Sequence, residues 1–165
     1  MKRVLLVMAG VLLTLWVGTA FADDTRFVFS DLTVKDKRTG LIWARDANLG
    51  GGDLNMAFDL VKELNIKNYA GFKDWRLPSL EELKALLAFA KELGFADWDS
   101  TTHRPYHLFN QMGFYDVQTS SYWSSATDEK HPEMGSGVGM EYGEVGLIRR
   151  STLQGVWPVR DENRK

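Results

Sequence analysis

The apolar positions change their period several times along the chain, and each change marks an element. Residues 4–22 carry no charge, follow Lys2 and Arg3, and end in Ala20-Phe21-Ala22. A basic start, an apolar run and a small-x-small end predict a secretory signal peptide over 1–22. An uncleaved anchor is the alternative, because about 20 apolar residues span a bilayer. No Cys follows the run, so it is no lipoprotein signal. Cleavage leaves residues 23–165 as a single exported domain, periplasmic or secreted, with no stable membrane insertion.

Short β-prone runs follow at Phe27-Val28-Phe29, Leu32-Thr33-Val34 and Leu41-Ile42-Trp43-Ala44. Residues 36–40 read as a turn, and 48–53, with three consecutive glycines, as a loop. Ala57, Leu60, Val61 and Leu64 recur at helical spacing behind the potential caps Asp53 and Asn55. Pro78 keeps Trp75-Arg76-Leu77 extended. Ser79 and Glu82 then form a capping-box pattern. They open a helix whose stripe is Leu80, Leu83, Leu86, Leu87, Ala90 and Leu93, with Gly94 as its stop. Residues 95–121 hold neither period for long and predict a long irregular loop. Tyr122-Trp123-Ser124-Ser125 reads as a strand, 128–137 as a polar connection, and 138–142 with 147–150 as a hairpin turning at 143–146. A last strand is expected over 154–160. Two helices among short strands make an α+β domain.

Composition narrows the chemistry. The 165 residues are 44% apolar and contain no Cys. Thiol nucleophiles, disulfides and zinc–sulfur sites are therefore excluded, and the domain must rely on packing. The formal charge is −2, and loss of Lys2 and Arg3 makes the remainder more acidic. Such a balance is unsuited to nucleic acid or anionic membrane.

Four segments carry a resemblance: Thr39-Gly40-Leu41-Ile42-Trp43, Asp74-Trp75-Arg76-Leu77-Pro78 with Glu82-Leu83, Tyr122-Trp123-Ser124-Ser125, and Val156-Trp157-Pro158-Val159-Arg160. Their order resembles the C-terminal domain family of the collagen-like adhesin Lcl, over roughly residues 32–161. The Arg-Leu-Pro helix entry is also similar to that of formylglycine-generating enzymes. The resemblance implies a C-type-lectin-like fold: first and last strands paired, two helices packed on small antiparallel sheets, and a long irregular loop region carrying ligands. It places residues 41–44 near 156–160. Relatives often carry Cys in the first helix and at the last strand. This chain has neither, so the cysteine chemistry of formylglycine-generating enzymes does not carry over. The adhesin's association is with sulfated glycans, a ligand class at odds with the acidic balance of this chain.

The residues themselves separate core from candidate site. Trp43, Trp75, Trp123 and Trp157 sit in short apolar runs and read as core, with Arg76 as a structural partner and Glu82 as a cap. Trp98, Tyr106 and Tyr115 lie among polar residues, as aromatic faces for sugars or peptides do. With His103, Arg104, His107 and Asp116 they form the candidate ligand-binding set. The alternative is a basic strip of Arg149, Arg150 and Arg160, joined by Lys35, Lys37, Arg38, Arg164 and Lys165 if the last two strands are neighbours. His103 and His107 have metal-ligand spacing, but Pro105 argues against a helix between them and no carboxylate completes a set, so no metal site is assigned. Calcium is the ion left open, through Asp97, Asp99, Asp116, Asp128 and Glu129. Phosphate-loop, Gly-x-Ser-x-Gly and His-Glu-x-x-His motifs are absent. The expected function is noncatalytic binding or adhesion toward a glycan or an envelope or surface protein. The alternatives are a hydrolase using dispersed carboxylates and a structural subunit of an envelope complex.

Overall fold

The computed structural model describes residues 26–95 and 100–163. The expected signal segment lies outside them, as do Asp97, Trp98, Asp99, Arg164 and Lys165. Among the described residues no helix is long and apolar enough to cross a membrane. The architecture is α+β, with three helices and two small sheets.

The first sheet joins β1 (Phe27–Phe29), β2 (Thr33–Asp36), β3 (Leu41–Ala44) and β9 (Val159–Asp161) in the order β1-β2-β3-β9. Gly40, at φ +70°, closes the tight turn between β2 and β3. Leu41, Ile42 and Trp43 face Asp161, Arg160 and Val159 in antiparallel register. The expected proximity of 41–44 to the last strand is therefore present, but the partner of β9 is the third strand rather than the first. The second sheet has the order β4-β8-β5-β6-β7, from β4 (Gly51–Gly52), β8 (Gln154–Gly155), β5 (Ser121–Thr127), β6 (Met134–Gly139) and β7 (Val145–Arg149).

Helix α1 (Leu54–Ile66) starts where Asp53 accepts the Met56 N–H at 2.9 Å, and it buries Leu54, Ala57, Val61 and Leu64. Helix α2 (Leu80–Glu92) has the full reciprocal capping box: the Glu82 N–H reaches Ser79 Oγ, and the Ser79 N–H reaches Glu82 Oε2. It ends in a Schellman closure, with the Gly94 N–H on Lys91 O and the Phe95 N–H on Ala90 O. Leu93, expected in its stripe, is instead half exposed, and Phe89 is buried.

Four expectations are corrected. The stretch 95–121 is not wholly irregular: Pro105 opens helix α3 (Pro105–Met112), because a proline at the first helical position loses no hydrogen bond and presets φ. The glycine-rich 51–52 is a short strand rather than pure loop. The last strand is two strands in different sheets, parted by Val156, Trp157 and Pro158. The hairpin exists, but β6 begins earlier than expected, at Met134, and pairs from Met134↔Arg149 to Val138↔Val145.

Trp157 ties these parts together. Its ring lies 5.4 Å from Trp43, 5.9 Å from Phe109, 5.2 Å from Phe114 and 5.4 Å from Tyr122. Its Nε1–H donates to Ala44 O at 2.9 Å. All four tryptophans assigned to the core are buried there.

Candidate functional site

The residues singled out in 98–116 do not converge. Trp98 is outside the described residues. His103 is exposed, with Nδ1 2.9 Å from Ser100 Oγ and its ring 5.3 Å from Phe95. Arg104 is buried over the Tyr142 ring at 4.0 Å, which removes it from a solvent-facing set. Tyr106 is half-buried against the core and 4.1 Å from the His107 ring. These residues belong to the entry of α3, whereas Tyr115 and Asp116 lie beyond its other end. Tyr115 is half exposed with the Arg45 guanidinium 4.0 Å from its ring.

Among the described residues, the strands that would carry the basic strip are not neighbours. Strand β7 neighbours β6, and β9 neighbours β3, so Arg149 and Arg160 lie in different sheets. Arg160 is buried, bidentate on Asp74 at 2.7 and 3.1 Å, and stacked 4.0 Å over Phe72. Arg150 donates to Pro132 O and Asn55 Oδ1 at 3.3 Å. Lys35 pairs with Glu162 and Arg38 with Glu92.

A different place gathers polar groups around a hollow. A cleft of ≈ 400 Å³ is lined by Gly50, Gly51, Gly52 and Gly155 as floor, by Asn48, Gln118, Ser120 and Gln154 as polar groups, and by Met56 and Leu153 as apolar lips. That volume is in the range of small-molecule sites. The floor is glycine because backbones meet there: a Cβ on Gly51 would lie 2.8 Å from Gln154 O, and one on Gly155 2.8 Å from Tyr122 Cε1. It is also anchored. Gly50 O accepts the Val156 N–H at 3.1 Å, and Gly52 O accepts the buried Trp123 Nε1–H at 2.9 Å.

The polar wall is fixed from behind. Asp116, at φ +53°, takes Asn48 Nδ2 on Oδ2 at 2.7 Å and Gln118 Nε2 on Oδ1. A carboxylate only accepts, so both amide nitrogens must face it. The Gln118 N–H donates to Tyr122 Oη at 2.8 Å. Burial pushes the Tyr122 hydroxyl well above its ordinary value, so it stays neutral in that role. Asn110 holds both the N–H and the carbonyl of Val117. Of the predicted set, Asp116 alone takes part in this wall. Residues Asn48, Gln118, Ser120 and Gln154 escape sequence reading because scattered carboxamides and a lone hydroxyl form no motif. The available signal was the glycine triplet after Asn48.

Two acids meet elsewhere. Arg76 holds Glu82 in a bidentate pair at 2.7 Å and reaches Asp161 at 3.0 Å, beside a shallow hollow lined by Glu82 and Asp161. Burial raises the Glu82 pKa, but the bonds from Arg76 and the Ser79 N–H outweigh it and hold the carboxyl below its ordinary value. A general acid must hold a proton near working pH, and Glu82 does the reverse. Among the described residues, no three His, Asp or Glu side chains form a metal-binding group.

No curated protein matches the chain significantly. The profile of the Lcl C-terminal domain matches residues 32–160. That span holds strands β2–β8, the capped helix α2 and the residues of the cleft; the chain belongs to the Lcl C-terminal domain family.

Proposed function

We propose that this chain is an exported, noncatalytic binding domain of C-type-lectin-like architecture that recognises a glycan or another cell-surface component. The cleft at Asn48, Gln118 and Gln154 carries this reading: a preformed polar hollow on a glycine floor, with no titratable side chain in its lining. Hydrogen-bonding groups held by neighbouring structure lose little entropy on binding, and an uncharged lining supplies no general acid and no base to activate the Ser120 hydroxyl. The nearness of residues 41–44 to the last strand and the helices beside two small sheets support the lectin-like reading.

The test is saturable binding of the purified protein to a mixed glycan array and to intact bacterial surfaces at physiological salt, with and without a calcium chelator. Binding to one glycan class or surface component is the expected result. Loss on chelation assigns calcium to the complex. Folded protein that binds neither surface overturns the reading in favour of an assembly subunit.

A further inference from the structure

Resting on that binding reading, we infer that the Asn48–Gln118–Gln154 cleft takes a neutral, hydroxyl-rich saccharide and rejects sulfated or otherwise anionic glycans. Acceptors and charge decide the class: carbonyl oxygens face the cleft and no cationic side chain lines it. Residue Asp116 takes both amide donors of Gln118, on its backbone carbonyl and Oδ1, and one of the two of Asn48, on Oδ2. What these two side chains have left is one Asn48 N–H and the carbonyl ends, Asn48 Oδ1 and Gln118 Oε1, which only accept. Among the described residues neither oxygen has a hydrogen-bond partner, and the same holds for the side chains of Ser120 and Gln154. Sugar hydroxyls donate to such oxygens, whereas a sulfate offers only acceptors. The carboxylate behind the amides adds repulsion for any anion.

The surroundings have the same sign. A second hollow of ≈ 280 Å³ shares Gly50, Gly51 and Met56 with the cleft and is lined by Asp59 and Glu63. Arg150, the cation closest in sequence to the β8 side of the cleft, is turned to Pro132 and Asn55. Met56 and Leu153, both more than half exposed, give an apolar edge for the C–H faces of a sugar ring. Ser120 and the Gln154 amide supply groups able to donate as well as accept.

The experiment titrates the purified protein with paired probes: neutral oligosaccharides built on glucose, galactose, mannose and N-acetylglucosamine, and the sulfated form of each. The variants are Gln118→Ala and Gln154→Ala, with thermal unfolding as the fold control. Gln154→Ala removes a side chain that bonds nothing among the described residues, so it keeps the test valid if Gln118→Ala unfolds. The expected result is saturable binding of at least one neutral probe, little changed by salt, at least tenfold tighter than its sulfated form, and at least tenfold weakened in the variants. Binding of sulfated probes alone, suppressed by salt, overturns this inference while leaving the binding function standing. Neutral binding that both folded variants retain overturns the site. Binding of no probe in either form, nor of any surface component, overturns the inference and the proposed function together.

Discussion

Arg26 grips Asp36 through both ends of its guanidinium, Nε to Oδ1 at 2.9 Å and Nη2 to Oδ2 at 2.5 Å, with both side chains almost wholly buried. The guanidinium also lies 4.9 Å from the Phe27 ring and 4.8 Å from the Phe89 ring, so the pair joins β1 and β2 to α2. Removing one member leaves the other charge buried and unpaired. Arg26→Ala is therefore expected to cost about 3–5 kcal/mol in chemical denaturation. A loss below about 1 kcal/mol would refute this account.

The same pair sets an acid limit. Burial raises the Asp36 carboxyl, but the bonds and charge of Arg26 and the Arg38 N–H prevail and hold it below its ordinary value. Glu82 is lowered in the same way by Arg76. A carboxylate depressed in the folded state stabilises above its unfolded pKa and loses that contribution as pH falls through the folded one. Stability is thus expected to hold from neutral pH down to about 5 and to fall below about 4. Urea midpoints measured across that range check the direction; a rise below pH 4 would contradict it.

Trp43 and Trp157 touch at 5.4 Å yet differ in their nitrogen. Trp157 Nε1–H donates to Ala44 O, whereas Trp43 Nε1 is buried without a partner among the described residues. Replacement by Phe removes a made hydrogen bond at 157 and an unmet donor at 43. Trp157→Phe should cost about 1–2 kcal/mol more than Trp43→Phe. Thermal unfolding of the two variants side by side measures that difference, and equal losses would refute it.

Gly137 lies inside β6, where an added Cβ would sit 2.7 Å from both Ile148 Cδ1 and Tyr122 O. Gly146, its register partner on β7, has open space. Gly137→Ala is expected to destabilise by about 1–3 kcal/mol, while Gly146→Ala is neutral or gains up to about 1 kcal/mol. Circular dichroism melts distinguish the two, and a tolerated Gly137→Ala would mean that the strands are not in this contact.

These glycines also show why part of the fold was illegible. Elements set by local chemistry were readable: Asp53 and Ser79 cap their helices, Gly94 closes α2, and the four core tryptophans are buried. The start of strand β6 is illegible because Gly135 and Gly137 follow from packing against Leu54, Trp123, Tyr122 and Ile148, contacts more than ten residues away in sequence. Pro105 read as a helix breaker and is a helix starter, since the two roles differ only in position. The candidate cleft was least legible of all. Its wall joins Asn48 to Asp116 and Gln118 across residues far apart in the chain, and neither spacing nor composition encodes that meeting.

Ala70 has φ +52° beside Asn68 at φ +55°, in the short 3₁₀ turn before Trp75. A Cβ in the left-handed region costs about 1–2 kcal/mol, which glycine avoids. Glycine's extra freedom in the unfolded chain offsets part of that. Ala70→Gly is accordingly expected to raise stability by up to about 1 kcal/mol, read as a higher urea midpoint with an unchanged slope. A clear loss would show that the Ala70 methyl packs for more than its backbone strain.

Arg160 and Arg149 test what the arginines of the last strands do. Arg160 is bidentate on Asp74, stacked over Phe72 and buried, so its truncation removes packing and strands a carboxylate. Arg149 is exposed on the edge strand β7. Arg160→Ala should cost roughly 3 kcal/mol, whereas Arg149→Ala should leave the unfolding midpoint within experimental error. Neither change should alter retention on a heparin column except through unfolded material, because the two guanidiniums belong to different sheets and form no shared anion-binding site. Folded Arg149→Ala protein that elutes at markedly lower salt than the parent would restore a polyanion surface on β7, and would move the search for a ligand from the neutral cleft to that edge.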